Sequence, residues 1–178
     1  MKFFGILVDD FEKFEMNFKD HLHNDYPNFV FDFSIFEKLF EKENTALKKM
    51  LIVENISEQF CEQDHKIKQV KITEDTLFWN GYIQNSKPPK GKLPNDYTQR
   101  IDLLAQLEDF RCQRCGVSLR NDQGYLNLRK QPENGGGYNI ENLIYCCNDC
   151  HRIINAKDSQ RLWKDTIFYD RLKMFVRY

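Results

Sequence analysis

Two Cys-x-x-Cys pairs set the strongest constraint on what this chain can fold into: Cys112-Gln113-Arg114-Cys115 and Cys147-Asn148-Asp149-Cys150, with residues 116–146 between them. Each short turn brings two sulfurs toward one point, and two such pairs match the closed, tetrahedral, four-thiolate geometry of structural zinc. Gly116 lets the backbone reverse after the first pair. A pair of disulfides is the competing reading. It fits poorly, because the apolar start Met1–Val8 runs into Asp9, Asp10 and Glu12 before any small-residue cleavage site, so no secretory signal is expected. A redox Cys-x-x-Cys is possible for either pair alone, but two pairs together argue against it. Cys146 completes no such spacing, and Cys61 lies far away in sequence. Both are expected to be buried spectators.

The pairs also divide the chain. Of 178 residues, 1–99 hold 13 Lys/Arg against 17 Asp/Glu, and 100–178 hold 13 against 10. Twelve of fifteen phenylalanines lie at or before Phe78, whereas five of eight glycines fall between Gly116 and Gly137. The near-neutral total of -1 therefore hides an acidic, aromatic first part and a mildly basic second part. A mean hydropathy of -0.66 and the lack of any apolar run near 18 residues predict no membrane span, and a cytoplasmic location is expected.

Phe11, Phe14 and Phe18 recur at helical steps, and a turn at Asn24–Asn28 ends that helix. Phe29–Phe33 alternates like a short strand. Ser34 is a candidate N-cap with Glu37 three residues on, leading into Ile35, Phe36, Leu39 and Phe40. A longer helix is expected over Thr45–Glu62, and Lys66–Ile72 alternates like a strand. The phenylalanines read as core, and His21, His23 and His65 as ordinary surface or satisfied histidines. Three prolines, a glycine and three lysines within Asn85–Asn95 read as a linker whose lysines are candidate phosphate contacts. A helix from Tyr97 to Phe110 then leads into the cysteines. The expected organisation is a mainly helical region at 1–85, a linker at 86–96, and a cysteine-bearing module at 97–178. The last stretch, from Asp158 to Tyr178, is expected to form helix and pack back through Leu162, Trp163, Phe168, Leu172 and Phe175.

In order along the chain, Arg111–Gly116, Gly135-Gly136, Asn142-Leu143, Cys147–His151 and Lys157 resemble the zinc-knuckle HNH endonucleases, over about residues 100–160. The resemblance implies an α+β chain whose second part is a zinc-stabilised ββα module. In that family a histidine late in the first strand is the general base, a divalent ion beside the helix stabilises the leaving oxygen, and an asparagine orients the base. His151 matches the metal-binding histidine and Asn142 the orienting asparagine. The base position falls on Leu128, or on Arg129 with one inserted residue, and neither can accept a proton near neutral pH. Asn127 or Leu128 stands where an anionic ligand is usual. Tyr125 is then the candidate alternative proton acceptor.

Three functions follow from the resemblance. The first is nucleic-acid binding on an HNH-like zinc scaffold with an incomplete nuclease centre, within a defence or mobile-element system. The second is a divergent endonuclease using Mg²⁺ or Mn²⁺ to hydrolyse DNA. The third is a protein-interaction adaptor in which the zinc module only staples the fold. Arg114, Arg129, Lys130, Arg152 and Lys157 are the candidate phosphate contacts, with DNA expected ahead of RNA. The acidic first region is the candidate surface for a protein partner.

Overall fold

The computed structural model describes residues 9–39, 44–64 and 66–177. Met1–Val8, Phe40, His65 and Tyr178 lie outside them. The chain is α+β and gathers into two compact units, one built from residues up to Gln63 together with Lys157 onward, the other from Asp64–Ala156. The division falls after Gln63 rather than at the proline-bearing segment, and the residues from Lys157 onward belong with the first helices.

In the first unit, helix α1 (Asp10–Asp25) places Phe14, Phe18 and Leu22 on one buried face, as their four-residue spacing requires. The turn at Pro27-Asn28 follows as expected. Phe29–Phe33 forms no strand. Its rings pack instead, with Phe29 against Phe60 at 5.4 Å and Phe31 against Phe168 at 6.0 Å. Ser34 is the first residue of the short helix α2 (Ser34–Lys38) rather than its cap; Asp32 accepts from both its N–H and its hydroxyl at 2.9 Å. Helix α3 (Thr45–Glu62) has the bounds that the sequence predicts, and at its start the Asn44 side chain caps it by accepting from Leu47 N–H at 3.0 Å. Ile52, Val53, Ile56 and Phe60 of α3 are fully buried.

The C-terminal stretch is less regular than expected. Residues Ser159–Asp165 and Met174–Arg177 are 3-10 turns, and only Ile167–Lys173, α6 in an order where two helices of the other unit precede it, is α-helical. Its Phe168 ring stacks on Phe60 at 4.0 Å with an 8° interplanar angle, and Leu172 is fully buried.

In the second unit, residues 66–72 are neither helix nor strand. The alternation is real in burial, with Val70 buried and Ile67 and Ile72 half-buried, but the backbone acceptors are used differently: Arg129 donates to the Ile67 carbonyl at 2.7 Å and also to that of Lys68. Helix α4 (Tyr97–Leu107) ends before Phe110 because Asp109 and Phe110 take left-handed φ values of 50° and 55°. Phe110 N–H then closes on the Ala105 carbonyl at 2.7 Å and turns the chain toward the first cysteine. Strands β1 (Tyr125–Leu128) and β2 (Leu143–Cys146) pair antiparallel, with Leu126 opposite Tyr145. Helix α5 (Asn148–Asn155) packs on β1, and α4 on β2. The glycine run between the strands answers close packing as much as backbone angles. Only Gly135 has a positive φ, whereas a Cβ on Gly136 would lie 1.8 Å from the Lys130 carbonyl oxygen.

Candidate metal centre

The first cysteine pair sits on a tight reversal. Cys112 N–H donates to the Val117 carbonyl at 2.9 Å and Gly116 N–H to the Cys112 carbonyl at 2.8 Å, with Gly116 at φ +84°. Gln113, between the two ligands, fastens this reversal to β2. Its N–H donates to the Tyr145 carbonyl at 2.9 Å, and its Oε1 accepts from Tyr145 N–H at 2.6 Å. The second pair sits where β2 gives way to α5, so Cys147 is the N-cap and its Sγ accepts from Cys150 N–H at 3.4 Å.

All four sulfurs lie within 4.8 Å of one another, and Cys115 and Cys147 are 3.9 Å apart. A tetrahedron with Zn–S bonds near 2.3 Å has sulfur–sulfur edges of about 3.8 Å. The cluster therefore suits a structural metal such as zinc. Cys112, Cys115 and Cys150 are buried and Cys147 half-buried. Without a cation the thiols cannot ionise together. Burial holds Cys115 and Cys150 well above the ordinary thiol range, while hydrogen bonds from the other three sulfurs, working against burial, hold Cys112 well below it. A divalent cation removes that conflict. Four thiolates around it would carry two net negative charges, and the buried Arg114 offsets one by donating from Nη1 to Cys150 Sγ at 3.4 Å. Arg114, read from sequence as a phosphate contact, thus belongs to the metal centre.

Cys146 is buried as expected, and burial pushes its thiol well up. Asn127 holds it in place. Asn127 Nδ2 donates to Cys146 Sγ at 3.0 Å while its Oδ1 accepts from Asn155 Nδ2 at 2.5 Å, tying β1 to α5. Cys61 is likewise buried.

His151 and Tyr125 are brought together, with their rings stacked at 5.2 Å. His151 Nδ1 is buried with no hydrogen-bond partner, and burial lowers the imidazole pKa, favouring the neutral form. Asn142 does not join them. Its Nδ2 donates to the carbonyls of Lys130 at 2.9 Å and Gly137 at 2.7 Å, and its Oδ1 accepts from Lys130 N–H at 2.9 Å, so it staples the loop between the strands. At the two base positions, Leu128 is half-buried and Arg129 is committed to the Ile67 and Lys68 carbonyls. Among the described residues, metal-ligating side chains gather in threes or more only at the four cysteines. One imidazole beside a phenol does not fit Mg²⁺ or Mn²⁺, which demand several oxygen ligands.

The remaining candidate phosphate contacts do not share one surface of one unit. Lys130 and Arg152 are exposed in the second unit, whereas Lys157 falls in the first. Neither Gln113 nor the role of Asn127 was legible in the sequence: nothing in an isolated amide marks its partner, and Asn127, at the position of an anionic metal ligand, instead holds Cys146 and Asn155. Asp149 behaves similarly: it lies inside the second pair and is buried at 6% exposure.

The architecture and site define a small α+β chain with a buried four-cysteine centre, and none of its described helices is long and apolar enough to cross a membrane. No protein-family model, curated protein or solved structure matches the chain.

Proposed function

We propose that this protein binds nucleic acid on a zinc-held, HNH-like ββα scaffold that lacks a hydrolytic centre, in a reducing compartment such as the cytoplasm. The scaffold half of the reading is supported by the two strands and α5, with the cysteine pairs at the start and end of the unit's sheet-bearing part. The observation that carries the loss of hydrolysis is the surroundings of His151. Its ring faces Tyr125, Asn142 is used up on loop backbone, and the base positions hold a leucine and a guanidinium turned onto carbonyls. A neutral imidazole alone neither holds a hard cation nor completes an acid–base pair.

The test is plasmid incubation with Mg²⁺ or Mn²⁺, paired with binding of labelled oligonucleotides over a salt series. The expected result is intact plasmid, binding that weakens steeply with salt, and one zinc per chain by metal analysis. Cleavage abolished by His151→Ala would replace this reading with a divergent endonuclease in which Tyr125 serves as proton acceptor. Intact plasmid without binding at low salt would leave the adaptor.

A further inference from the structure

Residues 66–96 contain no helix or strand, a length of irregular backbone that compact domains keep chiefly for function. Part of it is tightly built. Tyr82 N–H donates to the Trp79 carbonyl at 3.2 Å with Gly81 at φ +86°, and Lys92 N–H donates to the Pro89 carbonyl at 2.9 Å with Gly91 at φ +80°. Both are the pattern of a turn whose third residue must be left-handed, here with glycine in that place. The first turn stacks Phe78 on Tyr82 at 4.3 Å, with Trp79 edge-on to Tyr82 at 4.9 Å. The second puts Lys90 and Lys92 at a corner.

Both ends of the intervening loop are clamped by one buried cation. Arg100 has no exposed surface; Nε and Nη2 donate to the two Asp96 oxygens at 2.7 and 2.9 Å, and Nη2 donates to the Ile83 carbonyl at 2.9 Å. Its guanidinium also lies over the Tyr82 ring at 4.8 Å. The proline-bearing segment is thus a held loop that leaves at Ile83 and returns at Asp96. Between Thr76 and Asn95 the sequence carries Lys87, Lys90 and Lys92 and no acidic residue. All three lysines are exposed, and their side chains have no partner among the described residues. At the loop's foot, Gln84 and Asn85 wall a groove of about 600 Å³ with Gln69, Lys130, Asn142 and a single lining carboxylate, Glu141.

We propose that the Leu77–Leu93 loop is the surface on which this protein grips single-stranded nucleic acid, with its three lysines on phosphates and Phe78 stacked on a base. The inference rests on the nucleic-acid reading above and moves the contact away from the hairpin and α5. Unopposed cations recognise a polyanion, and an exposed aromatic ring such as Phe78, 38% accessible, recognises unpaired bases, since paired bases hide their faces. The exposed Leu77, Ile83 and Leu93 alone would suit an apolar protein partner; the uncompensated lysines beside them favour the polyanion.

The full chain is titrated into labelled oligo(dT), oligo(U) and a duplex of equal length, read by fluorescence anisotropy over a salt series. Tighter binding to either single strand than to the duplex is expected. Lys87→Gln/Lys90→Gln/Lys92→Gln should reduce the slope of log affinity against log salt by about 2, as expected when three phosphate contacts are lost. Phe78→Ala should weaken binding about 5- to 150-fold. Zinc content and far-UV spectra verify that both variants fold. If the wild type binds but neither variant loses affinity, or if Arg152→Gln loses more than the triple variant, the loop assignment fails while the nucleic-acid reading stands. Duplex bound tighter than both single strands also overturns it. Absence of binding to all three probes overturns both.

Discussion

A fully buried arginine such as Arg100 is tolerable only when its charge is paired and its N–H groups find acceptors, and each of its three nitrogens donates here, to Asp96, to the Ile83 carbonyl or to the Tyr138 carbonyl. Asp96 is the electrostatic half of that arrangement. Partial burial pushes its carboxyl up, but the hydrogen bonds and charge of Arg100, with the Trp79 indole N–H at 3.0 Å, win and hold it below the usual carboxylate value. A folded pKa below the unfolded one means that the contribution to stability is complete above about pH 4 and fades as pH drops through the depressed folded value. Asp96→Asn leaves the buried guanidinium without its counter-charge and is expected to cost about 3 kcal/mol at pH 7. In urea denaturation the gap between wild type and variant should shrink as the pH is lowered below about 4. A gap that stays constant from pH 7 to pH 3 would mean that the carboxylate charge is not what holds the arginine. No sequence pattern pointed to this pair, because an arginine four residues after an aspartate on a helix ordinarily reads as a solvated surface pair.

At the scale of elements, what was legible was whatever depended on local spacing. The cysteine pairs, the face of α1 and the span of α3 all follow from intervals within one or two turns of chain. The strand expected at Lys66–Ile72 failed for a non-local reason: its carbonyls at Ile67 and Lys68 accept from the side chains of Arg129 and Gln113, so no neighbouring strand is needed to satisfy them. The helix expected to reach Phe110 stopped early for the left-handed pair at its end. The choice of ligand between Cys146 and Cys147 is sharp in the structure, since Cys147 caps α5 beside the other sulfurs while Cys146 is hydrogen-bonded to Asn127. If the four cysteines hold zinc as proposed, Cys147→Ser should fail to retain it, and with it lose the fold of the second unit, because a structural zinc contributes on the order of 10 kcal/mol or more. Cys146→Ser should keep one zinc per chain and lose only about 1–3 kcal/mol. Metal analysis after dialysis against a moderate chelator separates them, and zinc retained by Cys147→Ser would refute the ligand assignment.

Across the whole molecule, composition misplaced the boundary. Proline, glycine and lysine between Asn85 and Asn95 look like a connector, yet that segment is an integral loop of the second unit, and the chain's real division lies after Gln63 and again before Lys157. The apolar residues from Leu162 to Phe175 were legible as a stretch that packs back, but the sequence places them with the cysteine-bearing module, whereas they belong with the first helices. Phe168 shows where they went: its ring lies between Phe60, at 4.0 Å, and Tyr26, edge-on at 4.8 Å. This gives a test of the partition itself. Phe168→Ala removes a wholly buried ring from α6 and should destabilise the helical unit by about 3–5 kcal/mol, read as loss of helical far-UV signal at lower urea. If the C-terminal stretch instead belonged to the cysteine-bearing module, as its place in the sequence suggests, the same substitution would loosen the metal centre. Zinc stoichiometry and the rate of zinc transfer to a chromogenic chelator should therefore match wild type in the folded variant. Accelerated zinc release would place α6 with the cysteines and overturn the two-unit division.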